Sequence, residues 1–111
     1  MRKELGKIES VKFGLGGYQD CCIGIHFTLG GKGWGTITGS SAWDANIIEC
    51  RKDCKWTEKD RSEQYDKIVR YISALLNDAK VNSIDKLINI PIEATFDGMQ
   101  LVSWRILKEV I

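Results

Sequence analysis

"CIGIHFTL", Cys22 to Leu29, is the stretch that decides the fold. Ile23, Ile25, Phe27 and Leu29 alternate with Cys22, Gly24, His26 and Thr28. A two-residue apolar period marks a strand with one buried face. It also sets His26 on the face opposite the apolar set. "GGKG", Gly30 to Gly33, reads as a hairpin loop. Trp34 to Gly39 returns as a third strand, weakened by its glycines. Upstream, Ile8 to Phe13 reads as the first strand, with Val11, Phe13 and Leu15 on one side.

Downstream, "SSAWDANIIECRKDCK", residues 40–55, has no period and reads as a long loop with one turn of helix. Loops of that length in a compact domain are often functional. A helix follows. Thr57 stands as its N-cap, with Asp60 in the capping-box position. Tyr65, Ile68, Val69, Ile72, Leu75, Leu76 and Ala79 form its apolar stripe. Glu63–Lys67 and Asp66–Arg70 are favourable pairs on its outer side. "NDAKVNS" ends the helix, and Ser83 caps a short turn through Leu87.

"PIEATFDGMQLVSWRILKEVI" is a second hairpin. Ile92, Ala94 and Phe96 alternate with Glu93 and Thr95, and Asp97-Gly98 predicts a type I′ turn. On the last strand the period groups Val102, Trp104, Ile106 and Val110 on one face, and Leu101, Ser103, Arg105, Leu107 and Glu109 on the other. Both faces are half apolar, so the strand is expected to be central in the sheet or to meet another subunit. The expected architecture is α+β: an antiparallel sheet of about five strands in the order β-β-β-α-β-β, with one long amphipathic helix packed on it. Residues 1–111 form a single domain in this reading.

Composition excludes several function classes. Sixteen basic residues against fifteen acidic leave a formal charge of +1, without the basic balance of a nucleic-acid binder. "MRKELGKIES" lacks the apolar core of a signal peptide. No run approaches the roughly 20 apolar residues of a membrane span. The expected compartment is the cytoplasm, where Cys21, Cys22, Cys50 and Cys54 are thiols.

The chemistry-bearing groups are few. "GLGGYQDCC", residues 14–22, lacks G-x-G-x-x-G spacing and runs into a strand rather than a helix. It is either a tight bend that only glycine tolerates or a loop presenting backbone N–H groups to a ligand. Cys50-x-x-x-Cys54 has a permissible zinc spacing, but adjacent Cys21 and Cys22 should point to opposite faces, so no metal site is expected. His26 is the single histidine and has no evident nucleophile beside it, so no catalytic role is assigned. Trp34, Trp43, Trp56 and Trp104 are able to stack on a nucleobase. Arg105, inside an apolar strand, needs an anion: Glu93, Glu109 or a ligand phosphate.

The segments "GLGGYQD", "TLGGKGWG", "KWTEKDR", "LLNDAKV", "PIEATFDG" and "SWRILKEV" resemble a family of small proteins encoded by bacteriophages and prophages. The resemblance spans nearly the whole chain, and "GGKGWG" and "SWRIL" with the following Glu-Val are its most specific parts. By analogy with phage counter-defence proteins such as the Thoeris anti-defence sponges, it implies sequestration of a nucleotide-derived immune signal, without catalysis or cofactor. The ligand set under that expectation is Gly16, Gly17, Tyr18, Gln19, Asp20, Trp34, Trp43, Trp104 and Arg105. A homo-oligomer binding a small nucleotide-like ligand is implied. The alternative is an inhibitor that covers a host defence protein through a sheet edge or a tryptophan-bearing loop.

Overall fold

A computed structural model describes residues 1–17, 20–44 and 57–111. The predicted loop lies mostly in 45–56, and with it Cys50, Cys54 and Trp56 fall outside the described residues. Five strands form one antiparallel sheet: β1 (Arg2–Gly16), β2 (Cys22–Gly31), β3 (Trp34–Trp43), β4 (Pro91–Asp97) and β5 (Gln100–Ile106). Their spatial order is β3-β2-β1-β4-β5. Among the described residues one helix, α1 (Glu58–Ala79), lies across one face, so the fold is α+β as the patterning predicts.

β1 is much longer than the apolar pattern of Ile8–Phe13 suggests. Its first part pairs with β4 from Arg2↔Phe96 to Lys7↔Pro91. It pairs with β2 from Gly6↔Gly31 to Gly16↔Cys22. A bulge at Glu9, between Ile8 and Ser10, switches the side-chain parity. Before it, Gly6 and Ile8 face the helix; after it, Val11, Phe13 and Leu15 do. β3 likewise continues past Gly39 through "SSAW" to Trp43.

The helix begins as its sequence dictates. Thr57 is the N-cap; its Oγ1 accepts from the Asp60 N–H at 3.2 Å, and Asp60 accepts from the Thr57 N–H at 2.9 Å. That reciprocal capping box satisfies two orphan donors of the first turn. Lys80, with φ 58°, closes the far end. Ile68, Leu75 and Ala79 of the stripe are buried, whereas Tyr65 and Val69 stay exposed at 41% and 66%.

The core lies between α1, the turn Ile84–Leu87 and the covered face of the sheet. Ile8, Ile25, Leu29, Leu87, Ile92 and Ala94 are wholly buried, with Phe27 at their centre. Phe27 meets Tyr71 and Trp104 edge-on at 6.2 and 5.4 Å between centroids. Burial pushes the Tyr71 phenol up to about 12, and the hydrogen bond from Trp104 opposes it.

The C-terminal hairpin corrects two expectations. Its turn is Gly98–Met99, and only Gly98 has positive φ (62°), as a type II′ turn needs; Asp97 remains in β4. β5 is an edge strand, not a central one. A bulge at Val102 shifts its register, so Leu101 pairs with Phe96 and joins Trp104 and Ile106 on the helix-covered face. Val102, expected inward, is 52% exposed. Leu5, Ile37 and Trp43 are exposed on the uncovered face instead, while Leu101 is on the other face and Leu107 lies past the end of β5.

Candidate functional site

The uncovered face has two chemically different ends. Where β1, β2 and β3 run beyond β4, the register sets Lys12, His26 and Gly39 in one row, Gly14, Gly24 and Ser41 in the next, and Gly16, Cys22 and Trp43 in the last. Glycine is thus the main residue of a three-strand platform, and Lys12, His26, Cys22 and Trp43 are its larger side chains. The glycines are required where β2 and β3 come close. A Cβ on Gly24 would run into the Ser40 carbonyl, and one on Gly39 into the Ile25 carbonyl.

His26 leans toward the platform's end. A Cβ built on Gly16 would stand 2.8 Å from His26 Nε2. That nitrogen is covered and has no hydrogen-bond partner among the described residues. Lys12 Nζ donates to the Leu15 carbonyl at 2.7 Å, which holds an ammonium group beside the same strand end. Trp43 is 38% exposed. Gly17 (φ 77°) and Asp20 (φ 53°) turn the chain with left-handed backbone. Together these residues offer an indole for stacking and a cation near backbone that a planar ligand can approach closely, with a covered imidazole nitrogen behind the Gly16 backbone.

Of the predicted ligand set, Gly16, Gly17, Asp20 and Trp43 come together here. Tyr18 and Gln19 lie outside the described residues. The other three members lie elsewhere. Trp34 sits at the opposite end of β3, on the helix-covered face, with its ring 5.4 Å from Phe96. Trp104 packs into the core against Phe27. Arg105 is on the uncovered face but at the β4–β5 end. Its guanidinium donates to both Glu109 oxygens at 3.1 Å and to Glu93 Oε1 at 3.2 Å. Arg105 holds the Glu109 carboxyl below the usual range. Its anion is therefore intramolecular.

His26 and Lys12, which the sequence reading leaves out of the ligand set, also belong to this platform. The signal was present: from Gly14 through Gly39, glycine recurs on the strand face that carries His26. The structure also overturns the expectation that Cys21 and Cys22 diverge, since their Sγ atoms are 3.6 Å apart.

A second feature lies on the other face. Phe13, Ile23, Tyr65, Ile68 and Val69 line an almost purely apolar crevice of about 420 Å³ between α1 and the sheet. Phe13 is 53% and Leu15 44% exposed. Beside it, the β1 segment 10–16 pairs with β2 on one edge only, among the described residues. No group of three or more His, Cys, Asp or Glu side chains fit to hold a metal occurs among the described residues. No described helix is long and apolar enough to cross a membrane. Comparison with known proteins found no family model, no curated protein and no solved structure that matches this chain.

Proposed function

We propose that this protein is a non-catalytic trap for a nucleotide-derived signalling molecule, a counter-defence protein of phage origin, and that the ligand sits on the glycine-lined platform. The observation that carries this reading is the glycine-lined platform itself, where the partly exposed Trp43 and the Lys12 ammonium flank bare backbone. A base stacks on Trp43 and a phosphate meets Lys12. The covered Nε2 of His26, unsatisfied at a cost of about 1–3 kcal/mol, gains a partner only when the Gly16–Gly17 backbone moves aside as the ligand seats. Arg105 is not assigned to the ligand, because two carboxylates already occupy it.

The test is thermal stabilisation by cyclic nucleotides and cyclic or linear ADP-ribose derivatives, since a ligand that binds only the folded state raises Tm by mass action. A binding compound should come off unchanged on denaturation, and Trp43→Ala and His26→Ala should each abolish the shift. A shift retained in both variants moves the site elsewhere, and a compound recovered chemically altered removes the non-catalytic reading.

The apolar crevice and the open β1 edge favour a second reading, an inhibitor that binds a defence protein through that surface. An extended segment added to a free edge gains main-chain hydrogen bonds, and the adjoining crevice accepts its apolar side chains. Under this reading Phe13→Asp abolishes counter-defence activity in infected cells, and no nucleotide shifts Tm.

A further inference from the structure

Adjacent residues of a regular strand send their side chains to opposite faces, yet the Cys21 and Cys22 Sγ atoms are only 3.6 Å apart. The chain geometry explains the contact. β2 starts at Cys22, so Cys21 belongs to the turn before it. Asp20 enters that turn with φ 53°. The Cys21 carbonyl is then held by the Asp44 N–H at 2.8 Å, beside the point where Cys22 pairs with Trp43. These backbone hydrogen bonds hold the main chain that carries the two thiols.

The separation has chemical meaning. Two thiolates bound to one tetrahedral centre at about 2.3 Å stand roughly 3.8 Å apart, and a pyramidal trivalent centre, with its narrower angle, brings them somewhat closer. The free thiols already stand near that bite, so little reorganisation is needed to bridge them. Cys22 is partly exposed and Cys21 buried, so a reagent enters from the Cys22 side; Gly17 packs against Cys22, since a Cβ added there would already touch its sulfur at 3.6 Å. A structural zinc wants four ligands, and no third His, Cys, Asp or Glu joins this pair among the described residues.

We propose that Cys21 and Cys22 act as one bidentate dithiol site for a soft, thiophilic centre that is complete with two sulfur ligands, a trivalent arsenical bearing one organic substituent being the defining case. With phenylarsine oxide, two arsenic–sulfur bonds form, the arsenic–oxygen bond breaks, and the two thiol protons leave with the oxygen as one water. Arsenic stays trivalent, so no oxidant is required. The product is a nine-membered ring through the Cys21–Cys22 peptide. The site adjoins the platform, because Cys22 stands in the same row as Gly16 and Trp43, but the ligation itself needs no nucleotide.

The experiment uses the full chain with Cys50→Ser and Cys54→Ser, because those residues form a second cysteine pair in the sequence. Phenylarsine oxide is added in the presence of excess glutathione, and intact mass and arsenic content are read. One arsenic per chain is expected, retained against the monothiol and stripped by ethanedithiol. Adding Cys21→Ser or Cys22→Ser should weaken retention by at least about tenfold, because the second bond is no longer intramolecular. Melting curves show which variants are folded, and either single variant suffices if the other does not fold. Failure of the Cys50→Ser/Cys54→Ser protein to retain arsenic, or equal retention by a folded single-thiol variant, overturns the proposal.

Discussion

Where β1 pairs with β4, the covered face carries Ile8, Leu29, Ile92 and Phe96, all at most 4% exposed. Where β1 runs beyond β4, the uncovered face carries Gly14, Gly16, Gly24 and Gly39 around His26. The covered face is held by large side chains that exclude water. On the uncovered face beyond β4, backbone comes so close that side chains are excluded instead. The first arrangement makes stability and leaves little room for a ligand. The second exposes backbone and a few polar tips, which suits recognition. The two faces share β1, β2 and β3, so the contrast comes from which residue occupies each register position, not from separate elements.

The sharpest way to break this contrast is to remove the centre of the packed face. Phe27→Ala deletes a ring that is 1% exposed and touches Tyr71 and Trp104. It should cost about 3–5 kcal/mol, read by guanidinium unfolding. A cost below that of an ordinary surface substitution would mean the core is not centred there. The glycine end should respond to the opposite change. Gly24→Val adds atoms where the Ser40 carbonyl lies and should cost about 1–3 kcal/mol. If Tm is unchanged, the close approach of β2 and β3 is not real and the platform loses its shape.

The smallest effect belongs to Arg105, the paired counterpart of unpaired His26 on the same face. Its guanidinium is exposed, so Arg105→Ala should leave Tm near that of the wild type at neutral pH. The sign of its pH dependence follows from Glu109, whose carboxyl is lowered chiefly by Arg105. A lowered carboxyl contributes stability above its unfolded value and loses it as pH falls through the folded one. The slight difference between wild type and mutant should therefore vanish in acid. A large loss at neutral pH would mean that the pair is buried.

Much of this architecture is legible in the sequence, for identifiable reasons. The alternation of Cys22–Leu29 and the stripe from Tyr65 to Ala79 each repeat long enough for one period to dominate. The capping box is local, so Thr57 and Asp60 declare it themselves. The bulges are not legible. At Glu9 and Val102 one extra residue flips the parity, and nothing in "IES" or "LVS" announces it. β3 fades at Gly39 because Ser40, Ser41 and Ala42 are too small to show which face they serve. The site was half legible. Gly16, Gly17, Asp20 and Trp43 lie near one another along adjoining strands. Trp34, Trp104 and Arg105 were grouped with them on chemistry alone, and strand order and face parity separate them.

The long strand β1 has a further consequence, in the order of assembly. Its ladder with β2, and that of β2 with β3, join neighbours through short connections and close at little entropic cost. Its ladder with β4 joins Arg2 to Phe96, across almost the whole chain. That pairing waits until α1 and the C-terminal hairpin exist, and such non-local closures slow folding. Until then the Arg2–Lys7 segment presents a bare strand edge next to Ile8 and Leu29. The hazard for this chain is thus one of timing: it is most prone to pair with the wrong partner after its N-terminal meander has formed and before β4 arrives to occupy the edge.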